Sequence, residues 1–171
     1  AREILEYNKY KKIVIIRSAV QGRDIGFMPG NEDEKMSNYE APYREAINDL
    51  CERGDAYDIM KAKATIDFMC TSFLRGITLD DAIIVVDEVQ NMTFQELDTI
   101  MTRIGKNSKI VFCGDFRQSD LRRDKEKSGL VDFMKILDQV KGIEHIEFQI
   151  TDIVRSGLVR DYIVARTELN M

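Results

Sequence analysis

The sequence has few of the residues that build metal clusters, disulfide frameworks or membrane spans. Its 171 residues include one histidine, His145, and three scattered cysteines, Cys51, Cys70 and Cys113. Because none of them has the spacing of zinc ligands, a transition-metal enzyme and a serine–histidine hydrolase are both disfavoured. An odd number of scattered cysteines argues against a disulfide framework and favours a reducing cytoplasm. No apolar run is long enough to cross a bilayer, so we expect no association with a membrane.

An excess of positive charge is also absent. The formal net charge is −5, so any contact with nucleic acid would have to use a local basic patch. The composition is 44% hydrophobic and 32% charged, with only two prolines, which is typical of a folded globular protein. The length suits one domain, and we assign residues 1–171 to it.

Five apolar runs, each followed by polar residues, are predicted to be strands. They are Ile13–Ile16, Ile66–Cys70, Ala82–Val86, Ile110–Cys113 and Ile146–Ile150. Continuous apolar strands favour a mostly parallel sheet covered by helices. The helical patterns lie between the strands, at Tyr43–Arg53, Phe94–Ile104 and Leu130–Val140. The sequence therefore predicts an α/β fold, with a ligand crevice beyond the carboxyl ends of the strands.

The third run ends in two adjacent acids, Asp87 and Glu88. A buried strand that delivers carboxylates to a sheet edge is typical of a Walker B element. In that interpretation Asp87 holds Mg²⁺, through water, and Glu88 positions the attacking water. Gln90 would contact the γ-phosphate or relay its presence. The alternative is that the acids only begin a turn into the next helix, but Thr93 and Glu96 already supply a capping box for that helix.

The usual partner of a Walker B element does not occur in these residues. No segment has the phosphate-binding form G-x-x-x-x-G-K-[ST], and the glycine-rich stretch Gly22–Gly30 lacks its lysine and hydroxyl. Ala1–Asn8 has the pattern of the end of an amphipathic helix. We therefore expect the sequence to be incomplete at its N-terminus, with the phosphate loop further upstream.

Other candidate residues follow the neighbouring strands. Gln118, in the turn that begins with Gly114 and Asp115, is a candidate γ-phosphate sensor, although the turn could also be an ordinary strand-to-helix connection. Arg155 is a candidate for stabilising charge on the transferred phosphoryl group. Arg17 and Arg75 invite the same interpretation with less support. For each arginine the alternative is a solvated or ion-paired side chain.

Taken together, the motifs resemble the PhoH-like family of P-loop NTPases, which is related to the superfamily-one helicase core. The blocks that carry the resemblance are Lys12–Arg17, Gly26–Gly30, Arg75–Leu79, Val86–Asn91, Thr102–Lys109, Gly114–Leu121, Lys127–Leu130 and Asp152–Arg155. The segment Gln21–Asp24 is more similar to phage members than to bacterial ones. Two positions depart from the family pattern, since Ser18 replaces a usual proline and Ser156 a usual histidine.

The resemblance implies a RecA-like ATPase core that binds ATP and Mg²⁺ and acts on RNA or single-stranded DNA. It also implies a homo-oligomer, such as a ring, in which an arginine completes a neighbour's site, and Arg155 is the candidate for that role. Glu88, Gln118 and Arg155 would then be catalytic. Asp87 would bind the metal, and the nucleotide would contact the other candidates, Arg17, Gln90, Gly114 and Asp115.

Three functions are compatible with the sequence. The first is an ATPase that couples hydrolysis to handling nucleic acid, although without a phosphate loop we expect this chain alone to be nearly inactive. The second is a non-enzymatic module for nucleic-acid binding or oligomerisation with a vestigial nucleotide site. The third is a nuclease, which would need Asp67, Asp87 and Asp115 to cluster around metal ions.

Overall fold

The computed structural model describes residue 7 and residues 9–18, 32–115 and 127–169. They belong to two compact units, one ending at Ile136 and one beginning at Leu137. The assignment of residues 1–171 to one domain stays a prediction.

The first unit is built on a four-stranded parallel sheet. Its strands are β1 (Lys12–Arg17), β2 (Ile66–Cys70), β3 (Ala82–Val86) and β4 (Lys109–Phe112), in the order β2-β1-β3-β4. The apolar runs predicted all four of these strands to within one residue at each end. β1 lies in the interior of the sheet, and its four central residues, Ile13–Ile16, are buried on both faces.

Two helices, α1 (Glu32–Leu50) and α2 (Ala56–Ala62), contribute to the hydrophobic core with one face of the sheet. The buried members of this core are Tyr10, Ile13, Ile15, Ile47, Ala56, Tyr57, Met60, Ile66 and Phe68. Helix α1 begins earlier than the predicted helix Tyr43–Arg53 and contains Pro42. It ends at Leu50, because Glu52 turns into the left-handed region at φ 52°.

Helix α3 (Phe94–Met101) begins where the sequence predicts and ends three residues early. Thr93 and Glu96 form the expected capping box. The chain leaves the helix after Met101 because the next residues bond to another segment. The N–H of Leu79 donates to the carbonyl of Arg103, and the N–H of Gly105 donates back to Leu79.

Helix α4 (Lys127–Leu137) is shifted by three residues from its predicted range, Leu130–Val140. The rings of Phe112 and Phe133 pack edge to face at 5.3 Å, which joins α4 to β4. The structure therefore confirms the predicted α/β class, a parallel sheet with helices beside it.

The second unit corrects the prediction of a fifth strand at Ile146–Ile150. Residues 143–149 lack regular structure, and a 3-10 turn covers Ile150–Asp152. Ile146 and Phe148 are each 81% exposed. Apolar residues in this segment alternate with polar ones, and such a segment becomes a strand only when a neighbouring strand takes its backbone hydrogen bonds. The unit ends in α5 (Gly157–Glu168).

Among the described residues, we find no helix with both the length and the apolar character needed to traverse a bilayer.

Candidate functional site

The predicted acids lie at the carboxyl edge of the sheet, directly after β3. The Asp87 N–H donates to the carbonyl of Ile16 at 2.9 Å, which continues the ladder between β1 and β3 by one residue. Glu88 then adopts left-handed backbone angles, φ 56° and ψ 42°. A residue other than glycine in this region costs about 1–2 kcal/mol. The strand therefore ends in a sharp turn that carries both acids, and both are partly exposed.

Asp87 is held by a tyrosine from α1. The phenol of Tyr43 donates to Oδ2 of Asp87 at 2.5 Å. The Tyr43 ring packs against Phe68 of β2 at 5.6 Å between centroids. Burial, together with the hydrogen bond to Asp87, raises the pKa of Tyr43 well above its usual value, and the charge of Arg17 opposes this shift. The phenol is therefore a protonated donor throughout the neutral pH range.

Arg17 ends β1 at the same edge, beside Asp87 in the sheet. Its guanidinium lies 5.5 Å from the centre of the Tyr39 ring, a cation–π contact. The structure thus brings a cation, a carboxylate and two tyrosines of α1 to the ends of β1 and β3. This arrangement gives the predicted nucleotide-binding residue Arg17 a defined place at the edge.

Glu88 is connected to the loop after β4 through Gln90. The Gln90 amide donates to Oε2 of Glu88 at 2.5 Å, and its Oε1 accepts the N–H of Asp115 at 3.2 Å. Gln90 is buried, at 4% exposure, in a short 3-10 turn. A buried amide with partners on both sides is well fixed. Gln90 therefore connects the loop after β4 to Glu88 by hydrogen bonds.

Gly114 permits this connection because it has no side chain. A Cβ at this position would lie 2.5 Å from Oε1 of Gln90 and 2.6 Å from Cγ2 of Val89. Two backbone bonds keep the loop close to the acidic turn, since Cys113 donates to Val86 at 2.8 Å and accepts from Val89 at 3.1 Å. Burial, and then the charge of Asp87, raise the pKa of the Cys113 thiol.

A second polar network joins the ends of β1 and β2 to α3. Oε1 of Glu96 accepts the hydroxyls of Ser18 at 2.8 Å and Thr71 at 2.6 Å. Its Oε2 accepts the N–H and hydroxyl of Thr93 at 2.8 and 3.0 Å. Burial raises the pKa of Glu96, but these hydrogen bonds outweigh it and leave the pKa below its usual value. Glu96 is therefore ionised, and its hydrogen bonds connect the ends of β1 and β2 to the start of α3.

An open groove of about 530 Å³ lies beside this network. It is lined by Thr71, Ser72, Arg75, Thr93, Gln95, Glu96 and Thr99. The lining carries four hydroxyls, one amide, the guanidinium of Arg75 and the carboxylate of Glu96, and Phe73 beside it is 56% exposed. Such a surface offers several hydrogen-bond donors to a polar ligand, together with one positive and one negative charge.

The donor set of the acidic turn fits Mg²⁺. In the part of the chain that the structure describes, no group of three or more His, Cys, Asp or Glu side chains could form a complete protein cage. Mg²⁺ does not need one, because it is usually held by one or two carboxylates together with water and phosphate oxygens. The same observation removes the support for a two-metal nuclease formed by Asp67, Asp87 and Asp115. Asp67 lies within β2, away from its carboxyl end.

Most of the other predicted residues lie outside the described part of the first unit. Arg155 is exposed and lies in the second unit. Gln118, the stretch Gly22–Gly30 and all of Ala1–Asn8 except Tyr7 lie outside the described residues. The structure therefore joins Arg17, Asp87, Glu88, Gln90, Gly114 and Asp115.

Sequence reasoning missed Tyr43, and it assigned Glu96 only a helix cap. Tyr43 is 44 residues from Asp87, so no spacing could reveal the contact. A weak signal existed for Glu96, because Ser18 and Thr71 both follow predicted strands and such residues share an edge.

The parallel sheet, its flanking helices and the acidic turn after β3 define an α/β core of the P-loop NTPase type. The sequence model of the family described as PhoH-like protein matches residues 1–166, and the chain belongs to this family. This confirms the resemblance seen in the motifs. The family is generally one of P-loop NTPases, which suggests a nucleotide-binding domain.

Similar proteins occur in several bacteria. The chain is 36% identical to the PhoH-like protein of Bacillus subtilis (strain 168) over 97% of its own length and 52% of that protein. It is 35% identical to the PhoH-like protein of Mycobacterium tuberculosis (strain H37Rv) over 94% of its length and 46% of the relative. It is 29% identical to Protein PhoH of Escherichia coli (strain K12) over 92% and 45%. The chain thus spans about half the length of these relatives.

Proposed function

We propose that the chain is the metal- and water-positioning part of an ATPase. The observation that supports this most is the connected acidic turn, in which Asp87 and Glu88 leave β3 together and each has a fixed partner, Tyr43 or Gln90. A turn needed only to start a helix would not require both acids, since α3 has its own cap.

In the proposed mechanism each acid has one task. Asp87 would hold Mg²⁺ through water, and the bound ion would supply neutralisation of charge on the phosphoryl oxygens. Glu88 orients the attacking water, and Gln90 sets the direction of the Glu88 carboxylate. Arg17 and the loop of Gly114 and Asp115 lie where the nucleotide phosphates approach the edge. Gln118 completes the set as the γ-phosphate sensor.

The decisive experiment replaces Glu88 with glutamine in the full-length protein. Because these 171 residues contain no phosphate-binding loop of the usual form, we propose that this chain alone hydrolyses ATP negligibly. In the full-length protein Glu88→Gln should lower hydrolysis by about 10²–10⁴-fold and leave ATP binding intact. The matched control is Glu52→Gln. Glu52 is an exposed glutamate that also has left-handed backbone angles, and its substitution should change neither ATP hydrolysis nor ATP binding.

The same variant tests the alternative, a non-enzymatic module for nucleic-acid binding or oligomerisation. If Glu88→Gln retains full hydrolysis, or if the wild-type protein hydrolyses no ATP, the ATPase proposal is wrong. Full biological function in a Glu88→Gln variant that cannot hydrolyse ATP would favour the module.

We further propose that the groove beside Thr71 contacts RNA or single-stranded DNA. Arg75 supplies one charge for a backbone phosphate, and the exposed ring of Phe73 supplies a surface on which a base can stack. Binding of labelled oligonucleotides, followed by fluorescence anisotropy, tests this. Arg75→Gln should lower the slope of log affinity against log salt by about 1, whereas Arg53→Gln, which removes an arginine paired with Asp55, should not. Equal slopes in the two variants would contradict the proposal.

Arg155 is proposed to act on the site of a neighbouring subunit in a homo-oligomer. Mixing Arg155→Ala protein with Glu88→Gln protein tests this directly. In a mixed oligomer, the first protein has intact acids and the second supplies Arg155, so hydrolysis should recover. Hydrolysis that stays absent in the mixture, despite subunit exchange, would contradict action between subunits.

A further inference from the structure

Tyr43 lies outside every motif that carries the family resemblance, whereas its partner Asp87 belongs to one of them. Tyr43 belongs to α1, on the face packed against β1 and β2, and reaches Asp87 across the carboxyl edge of the sheet. We infer that Tyr43 is a positioning residue that fixes the Asp87 carboxylate for a hydrated magnesium ion. The inference rests on the function proposed above.

The tyrosine is well placed to fix another side chain because it is itself held. Its ring is partly buried, packs against Phe68 at 5.6 Å with an interplanar angle of 34°, and belongs to the periphery of the main hydrophobic core. The helix that carries it is 19 residues long, and its residue Ile47, one turn further on, is buried in the same core. The packing of the ring and of α1 therefore fixes the direction from which the phenol approaches Asp87.

The hydrogen bond from Tyr43 makes the two carboxylate oxygens of Asp87 unequal. The backbone of Asp87 is fixed by its bond to Ile16, so rotation of the side chain is the freedom that remains. Tyr43 removes that freedom by binding Oδ2. No described residue donates a hydrogen bond to Oδ1, which is left to accept from a metal-bound water. Outer partners of this kind orient metal ligands, and their removal typically costs about 10–100-fold in metal affinity.

The tyrosine also preserves the charge of the site. A phenol is a neutral donor, so Asp87 keeps its negative charge for a cation, which a lysine or arginine at position 43 would neutralise. Two other roles are possible for the same contact. Tyr43 could serve only the packing of α1, or it could compete with the metal for the carboxylate.

The three roles predict different results for Tyr43→Phe. This variant keeps the ring and its contact with Phe68 and removes only the hydroxyl. The matched control is Tyr10→Phe, which removes a phenol from the same hydrophobic core, before β1 and so at the opposite end of the strands from Asp87. The measurement is Mn²⁺ affinity in the presence of ATPγS, from the electron paramagnetic resonance signal of free Mn²⁺, using full-length protein. Thermal melting of each variant checks the fold.

We expect Tyr43→Phe to bind Mn²⁺ about tenfold more weakly, and Tyr10→Phe to bind it like the wild type. In the Asp87→Asn background, Tyr43→Phe should have no further effect, because the carboxylate that it positions is gone. Unchanged affinity would show a purely structural role, and tighter binding would show competition, so either result overturns the inference. If the wild type binds no Mn²⁺ with ATPγS, the proposed function itself fails together with this inference.

Discussion

The amino edge of the parallel sheet, where the strands begin, and its carboxyl edge, where they end, carry similar residues in different arrangements. At the amino edge, Asp81 precedes β3 and accepts from the ammonium of Lys11 at 2.6 Å and the amide of Asn107 at 2.9 Å. Asp80 accepts the backbone N–H of Lys106 at 2.6 Å. Asp81 and Asn107 both have left-handed backbone angles, as Glu88 has at the other edge.

At the carboxyl edge the hydrogen-bond partners are neutral. Among the described residues, Asp87 accepts from the phenol of Tyr43 and Glu88 from the amide of Gln90. An aspartate paired with a lysine has its charge compensated, and it stabilises a turn. A carboxylate held by a neutral donor keeps its charge available for a cation. The hydrogen-bond partner, rather than the acid itself, therefore distinguishes the candidate site from a structural turn.

The largest difference between the edges should appear when one aspartate at each edge loses its charge. We expect Asp87→Asn to lower ATP hydrolysis by about a hundredfold or more, because metal binding contributes several kcal/mol to transition-state stabilisation. Asp81→Asn should leave hydrolysis little changed. Steady-state rates of both variants of the full-length protein at saturating Mg²⁺ provide the measurement. Equal losses in both variants would show that the edges do not differ in function.

Glycine positions at the two edges give a second contrast. A Cβ at Gly114 would meet Gln90 and Val89, and one at Gly105 would lie 2.1 Å from Oδ1 of Asp80. Overpacking of this kind costs about 1–3 kcal/mol, so both alanine variants should unfold at lower denaturant concentration. Only Gly114→Ala should also lower hydrolysis, since it displaces Gln90 from Glu88.

A third glycine provides the control for the denaturation experiment. No atom lies within 4 Å of a Cβ built at Gly54, and its φ is not positive, so Gly54→Ala should be close to neutral. If Gly114→Ala is as stable as Gly54→Ala, the Gln90 connection is looser than the structure indicates.

The sequence was sufficient to predict what depends on neighbours along the chain. Apolar runs of β-branched residues predicted β1 to β4, and the acids after Val86 lie at the carboxyl edge of the sheet, as predicted. The cap of α3 was predicted from the spacing of Thr93 and Glu96 alone. Each of these features is fixed by residues within a few positions of each other.

Features that depend on tertiary neighbours could not be predicted. The bond from Tyr43 to Asp87 joins residues that only the fold brings together. The strand predicted at Ile146–Ile150 failed for the same reason, because a strand requires a pairing neighbour that its own residues cannot specify. Three of the four buried polar residues among those described, Ser18, Thr71 and Gln90, follow strands at the carboxyl edge. The burial of these three polar residues depends on the tertiary fold, so the sequence alone could not reveal it.

A smaller effect, on stability, should come from the Glu96 network, which joins the ends of β1 and β2 to α3 at the carboxyl edge. Glu96→Gln replaces an ion that accepts four hydrogen bonds with an amide that can accept at only one atom. We expect a loss of about 1–3 kcal/mol in the free energy of unfolding at neutral pH. Chemical denaturation of both proteins at pH 7 measures it.

The same pair of proteins gives a pH dependence with a definite sign. The pKa of Glu96 is lowered in the folded state, so its contribution is fully present above the unfolded value of about 4.3 and is lost as the pH falls below that value. The difference in the free energy of unfolding between wild type and Glu96→Gln should therefore narrow as the pH falls below about 4.3. A difference that stays constant as the pH falls would show that the ionised carboxylate is not what stabilises the edge.

The smallest effect should be found at the amino edge, in the pair of Lys11 and Asp81. The pKa of Asp81 is lowered, first by its hydrogen bond to Lys11, and the Lys11 side chain is largely exposed. Exposed pairs contribute little and are screened by salt, so Lys11→Met should lower stability slightly in dilute buffer, and the difference should vanish at about 1 M salt. Loss of hydrolysis in this variant would contradict the functional difference between the edges, since it would mean that the amino edge also acts on the site. Retained hydrolysis would support that difference, because an aspartate that tolerates loss of its cation is a turn residue, whereas Asp87 would need its cation to act.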